Sequence, residues 1–278
     1  MGIKQRLGSR ITPIGYAGLI ILTLHFLLVV FGPSLAPHSP AAILTSDPFA
    51  DIGLLGADYL GRDMLSRLLW GGRLTIGLSF SAALLGFSVG ISFGLLAAVA
   101  GGWLDQAIGR TNDVVMSFPS IMLALLVIVG FGSSTPVLIV TVGLIQATRV
   151  LRVTRAVAMD AMVLDYVEVA HARGEGKWWV MRREVLPNVV PPLAAEFGLR
   201  FTFCILLISS LSFLGLGVQP PTAAWGIMVR ENLSGLLFNS WVPILPAAAI
   251  CSLTVGINFL VDWMLGFSYR DVREDIVT

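Results

Sequence analysis

Tyr166-Val167-Glu168-Val169-Ala170-His171-Ala172-Arg173-Gly174-Glu175-Gly176-Lys177-Trp178-Trp179-Val180-Met181-Arg182-Arg183-Glu184-Val185-Leu186-Pro187-Asn188 is the longest strongly charged stretch of an otherwise apolar chain. Of 278 residues, 56% are hydrophobic and only 13% charged. A soluble domain carries roughly 25% charged residues. The runs Leu74–Leu104, Val114–Thr148, Phe201–Val229 and Asn232–Val261 contain no Asp, Glu, Lys or Arg. Each far exceeds the ~18 apolar residues that suggest a bilayer-spanning helix. The quoted stretch is therefore a polar, helical surface held between membrane spans, which a soluble partner can grip.

Working outward, the pattern predicts an all-α membrane protein with six transmembrane helices. The spans are Ile14–Phe31, Leu74–Gly101, Val114–Gly132, one from Val137 to the arginines 149, 152 and 155, then Val189–Leu216 and Val242–Asp262. Lys4, Arg6 and Arg10 ahead of the first resemble a signal-peptide start, but the apolar run outlasts the usual h-region, so an uncleaved span is expected. Met64–Trp70 reads as a short amphipathic helix, and Gly102–Asp113 as a polar loop. Of the 18 Lys and Arg, Arg62, Arg67, Arg73 and Arg230 fall on one side and Arg200 inside a span, while the rest share the side of both termini. The basic side is cytoplasmic, which gives N-in/C-in topology and puts the charged stretch, between spans four and five, in the cytoplasm.

Within that stretch, glycines 174 and 176 separate helical pieces Asp160–Arg173 and Lys177–Val185. Trp178, Met181 and Val185 are expected on one face, with Arg182 and Arg183 pointing away. Trp178 and Arg182 are residue types that anchor interfaces. Read as plain surface, the same helix would rest its tryptophans at the headgroups.

Glu168-Val169-Ala170, Gly174 and Leu186-Pro187 resemble the EAA loop of the permease subunits of bacterial ABC importers. Leu55-Gly56-Ala57-Asp58-Tyr59-Leu60-Gly61-Arg62-Asp63, Ser117-Phe118-Pro119 and Leu211-Ser212-Phe213-Leu214-Gly215-Leu216-Gly217-Val218-Gln219-Pro220-Pro221 are similar to the shorter permease of dipeptide, oligopeptide and nickel systems. The resemblance implies that Glu168, Ala170, Gly174, Leu186 and Pro187, together with Trp178 and Arg182, couple the chain to an ATPase. It differs at Val169, where alanine is usual, at Arg173, usually apolar and here needing an acidic or polar counterpart, and at Ile208, usually acidic.

The organisation it implies is an N-terminal tail, first span and extracytoplasmic segment over 1–73, a core permease domain over 74–266 with the coupling loop 156–187, and a cytoplasmic tail over 267–278. Implied partners are a second permease subunit, two ATP-binding subunits that hold ATP and magnesium, an extracytoplasmic substrate-binding protein and the lipid of the bacterial inner membrane. No cofactor in this chain, no catalysis and no nucleic acid are expected. Glu196, Arg200 and Ser209 are candidates for the translocation path. Arg62, Asp63, Arg67 and Trp225 are candidates for binding-protein docking.

The expected cargo is a peptide or related small solute, with nickel or opine as the alternative. An ion-gradient transporter would call for inverted repeats and intramembrane acids near broken helices, and the sequence shows neither convincingly. His25 reads as a packing residue and Cys204 and Cys251 as packing thiols. Three dispersed histidines make no metal site.

Overall fold

The computed structural model describes residues 13–238 and 240–277, with side chains as far as Leu265. Lys4, Arg6 and Arg10, and the side chains of Arg270 and Arg273, lie outside that description. The described residues are mostly helical, and extended pairing among them is limited to the isolated bridges Ile43–Arg62 and Ala57–Asp63. In order the helices are α1 Pro13–Leu35, α2 Met64–Ala100, α3 Gly102–Met116, α4 Ser120–Phe131, α5 Thr135–Met162, α6 Asp165–Ala172, α7 Lys177–Val180, α8 Leu186–Phe213, α9 Trp225–Glu231 and α10 Ile244–Val277. Five helical stretches are long and apolar enough to cross a membrane, and the pair α3–α4, bent by 86°, makes a sixth when taken as one broken span.

Four boundaries differ from the sequence reading. The predicted amphipathic piece Met64–Trp70 and the second span are one uninterrupted helix of 37 residues, because nothing between Trp70 and Leu74 lacks an amide donor and Gly71-Gly72 weakens a helix without ending it. The polar loop Gly102–Asp113 is helical. The third span breaks at Ser117-Phe118-Pro119, where proline removes a donor and forces its predecessor towards extended backbone. The fifth span, expected to begin at Val189, is part of a longer helical run, Lys177–Phe213, that takes in Pro187, Pro191 and Pro192.

The chain forms two compact units. The first holds the described residues up to Ser79, Ser133–Thr135 and those from Ile205 onward. Its helices α1 and α10 pack through small residues, so that a Cβ on Gly18 would come within 3.0 Å of the Leu260 amide and one on Gly256 within 2.6 Å of Ile21. His25 is buried here with ring nitrogens 2.9 Å from the Ile21 carbonyl and 3.3 Å from that of Ala249.

The second unit comprises Phe80–Gly132 and Pro136–Cys204. Gly86, Gly90 and Gly94 form a stripe at four-residue spacing on α2 that lets α5 approach closely. A Cβ at these positions would stand 2.5 Å from the Gly143 carbonyl, 2.5 Å from Val150 and 2.7 Å from Thr154. Close backbone approach of this kind is how membrane helices gain packing without a hydrophobic driving force between them. Arg155 reaches back from α5 to Asp105 on α3 with a 2.7 Å second contact, and Arg152 reaches Asp113 at 2.9 Å. Arg152 and Arg155 thereby clamp α3 alongside α5.

Candidate functional site: the hinged loop and the buried ion pairs

The charged stretch is built on the second unit. Helix α5 stops at Met162, and Leu164, in extended conformation, caps a new helix, α6. The predicted single piece Asp160–Arg173 is therefore two. α6 ends in a Schellman motif: the Gly174 amide donates to the His171 carbonyl at 2.9 Å and the Glu175 amide to that of Ala170 at 3.1 Å. The motif needs left-handed backbone at Gly174, which has φ 81 and which glycine adopts without the cost of a Cβ. Extended Gly176 then caps α7.

The turn from Met181 to Val185 is π-helical and leads directly into Leu186 and α8. Pro187 cannot donate to the carbonyl of Arg183, and a widened turn before it accommodates the ring. The extra residue rotates the faces. Val180 and Val185 are wholly buried in a cluster with Val167, Ala170, Ala158 and Leu95. Trp178, predicted to share a face with Met181 and Val185, is instead 67% exposed.

Of the coupling candidates, the loop presents Glu168, Gly174, Trp178, Arg182 and Pro187 outward, half-buries Leu186 and seals Ala170 inside. Exposed Val169 extends the apolar surface. Arg173 finds its acid within the chain, Glu184 at 3.5 Å, and lies over the Trp179 ring at 5.5 Å. Lys177 donates to the Ala100 carbonyl at 3.1 Å, a cation at the carboxyl end of α2 where the helix dipole favours it. Burial, then the Glu184 carboxylate, pushes the Tyr166 hydroxyl up.

In α8, Glu196 and Arg200 form the expected i,i+4 pair, carboxylate to Nε 2.7 Å, both largely buried. Ser209 belongs to the first unit, buried beside α9, where a Cβ on Gly226 would meet its carbonyl at 2.4 Å.

The four docking candidates are not on the surface. Asp58 accepts the Arg62 Nε at 2.6 Å and lies 3.2 Å from the Arg67 Nε, while Glu231 takes Arg67 at 2.8 Å and Arg62 at 3.3 Å. Two carboxylates and two guanidinium groups thus close a buried, charge-balanced network. Asp63 accepts the Ser66 amide at 3.1 Å. Tyr59, its hydroxyl pushed up by burial and by Glu231, keeps its proton and donates it to that carboxylate at 3.4 Å. Trp225 is 2% exposed: its amide donates to Thr75 Oγ1 and its indole to the Leu68 carbonyl, each at 3.0 Å. A Cβ on Gly72 would strike its ring at 2.7 Å. A ring of that size gains most from burial, and Gly71-Gly72 leaves room for it. These four residues hold the segment together from inside.

Sequence reading missed Glu231, for which nothing but an acid following the Trp225-Gly226 motif gave a signal. Among the exposed apolar side chains of residues 37–73 and 222–241, the most open are Leu54, Leu237, Phe238 and Trp241. Among the described residues no three His, Cys, Asp or Glu side chains converge as metal ligands.

A set of long apolar helices with a structured polar element between two of them defines a polytopic helical membrane protein. The chain belongs to the family described as binding-protein-dependent transport system inner membrane component, which matches residues 90–274, and it is a multi-pass inner-membrane transport subunit. It is 36% identical over 208 residues to the glutathione transport system permease GsiD of Pectobacterium atrosepticum, covering 75% of this chain and 69% of that one. It is 31% identical to the probable D,D-dipeptide permease DdpC of Escherichia coli (90% and 85% covered). With the di/tripeptide permease DppC of Pseudomonas aeruginosa the identity is 33% (88% and 84% covered). A chain of the inward-facing MetNI methionine ABC transporter shares the fold, with TM-score 0.60 at 19% identity over 72% of this chain and 94% of that one.

Proposed function

We propose that this subunit forms half of the translocation pathway of an ATP-driven importer for peptides or related small solutes, and that α6 and α7 couple it to an ATP-binding subunit. The observation that carries the coupling is the hinged pair itself. Its inner face is locked by Ala170, Val180 and Val185, while Trp178, Arg182 and Glu168 stand exposed on a cytoplasmic loop. An aromatic and an arginine held on a rigid base are what a soluble partner can grip with little entropic cost.

The full assembly adds a second permease subunit, two ATP-binding subunits carrying ATP and magnesium, and an extracytoplasmic binding protein. Both termini face the cytoplasm. ATP binding draws the ATPases together, the loop moves with them, and the spans alternate between inward- and outward-open states, a bistable element that nucleotide and loaded binding protein both bias. Arg200 and Glu196 line the path. Binding-protein docking falls to the exposed Leu54, Leu237 and Trp241, on the scaffold that the buried ion pairs hold.

Affinity purification of the chain from its native membrane tests the reading. An ATP-hydrolysing subunit is expected to co-purify, and to be lost from Trp178→Ala combined with Arg182→Glu. Intact chain recovered without any such partner overturns it.

A further inference from the structure

The spans of the second unit hold more positive charge than Glu196 can balance. Glu196 on α8 contacts Arg200 through Nε, and the buried Nη1 of Arg200 has no hydrogen-bond partner. Arg149 on α5 is half-buried nearby: its guanidinium lies 5.6 Å from the centre of the Phe203 ring, and that of Arg200 lies 4.9 Å from the same ring. Among the described residues no carboxylate stands within ion-pair distance of Arg149, whose nearest polar contact is Ser120 Oγ at 3.5 Å. Two guanidinium groups thus share one aromatic ring, while the carboxylate beside them is taken by Arg200 alone. The sequence reading put Arg149 at the cytoplasmic end of its span, but α5 runs on to Met162 and Arg149 lies well inside it. An arginine at such depth without a counter-ion is costly, and such residues mark pathways.

Arg149 also lines a cavity of about 300 Å³ with the hydroxyl-bearing Ser117, Ser120 and Thr148. The volume sits at the lower end of small-molecule sites, at roughly 300–1,000 Å³. Its wall is the break between α3 and α4, so the amino-terminal turn of α4 meets the same space. Ser117 and Thr148 already donate to the Val114 and Ile145 carbonyls at 2.7 and 2.8 Å. That leaves the guanidinium fork, the Ser120 hydroxyl and the positive end of a half-helix, and each of these favours a carboxylate.

We infer that Arg149, with Arg200 behind Phe203, forms a carboxylate station in the translocation path, which receives the free carboxylate of a small solute such as a peptide C-terminus. This rests on the peptide-importer reading above. Glu196 draws on Arg200 at the same time, so the excess charge offered to the cargo is one and not two. That suits a transit site, where binding must be strong enough to admit and weak enough to release.

The test uses the whole importer, with its partner subunits and binding protein, in proteoliposomes. Uptake of radiolabelled Ala-Ala is compared with that of its C-terminal amide. The same binding protein serves every variant, so its own preference cancels in the change of the ratio. Arg149→Gln is expected to lower the acid-to-amide ratio about tenfold, the loss of a charged hydrogen bond, and Arg149→Lys to recover much of it. Ser120→Ala, which keeps the charge, is expected to lower it about threefold, and gives the reading should Arg149→Gln fail to assemble. Acid and amide uptake falling together, as they would if Arg149 instead paired with a carboxylate of the second permease subunit, overturns the station. So does an unchanged ratio. A wild-type importer that co-purifies with its ATPase yet moves neither probe overturns the peptide reading instead.

Discussion

Asp58, Arg62, Arg67 and Glu231 carry four charges in a space from which water is excluded, and their hydrogen bonds are what make that tolerable. Removing one member leaves its partners buried and unpaired, typically a loss of about 3–5 kcal/mol. Glu231→Ala is therefore expected to lower the thermal unfolding midpoint of the purified subunit clearly. Glu231→Gln, which keeps two of the contacts as neutral hydrogen bonds, should do less, and equal midpoints for wild type and Glu231→Ala would refute the network. At Gly174, a Cβ in left-handed backbone costs roughly 1–2 kcal/mol. Since the glycine lies in the open, with nothing within 4 Å of a built Cβ, Gly174→Ala should loosen the end of α6 locally. Faster amide exchange at Glu175, without global unfolding, is the expected readout.

Among the elements, the contact of α2 with α5 depends on small residues at three successive turns. Gly90→Leu has no room beside Val150 and must push the helices apart, for which overpacking costs of about 1–3 kcal/mol are typical. Reduced yield and a lower melting temperature are expected, against little effect from the same change at Gly109, which faces open space. Helix existence was legible in the apolar runs, because length and composition alone decide what can cross a bilayer. Breaks were not. Gly102–Asp113 looks polar but is helical because Asp105 and Asp113 find Arg155 and Arg152 thirty-nine or more residues away. The π-helical turn at Met181–Val185 likewise gives no periodicity, and it moved Trp178 to the outer face.

For the molecule as a whole, N-in/C-in topology predicts opposite accessibilities for two introduced thiols. Glu175→Cys should react with a membrane-impermeant maleimide only in inside-out vesicles, and Leu54→Cys only in right-side-out cells. The reverse pattern would invert the topology. Coupling is tested at the same scale: Arg173→Leu removes the contacts to Glu184 and Trp179. It is expected to weaken the loop's own rigidity and so reduce ATP hydrolysis driven by loaded binding protein, measured on the reconstituted complex.

The sequence by itself determined the solvent and the helical class, because hydropathy is summed along the chain, and the distribution of basic residues set the expectation that the charged stretch is cytoplasmic. It also carried the family, through motifs that survive as local strings such as Glu168–Gly174 and Leu211–Pro221. Only the tertiary structure decided which side chains are available. Arg62, Arg67 and Trp225 read as surface residues but are interior, because their partners Glu231, Leu68 and Thr75 are brought to them by folding. The acid that Arg173 needs is Glu184 of the same loop. Charge balance and burial are properties of neighbours in space, and a string of residues does not say who the neighbours are.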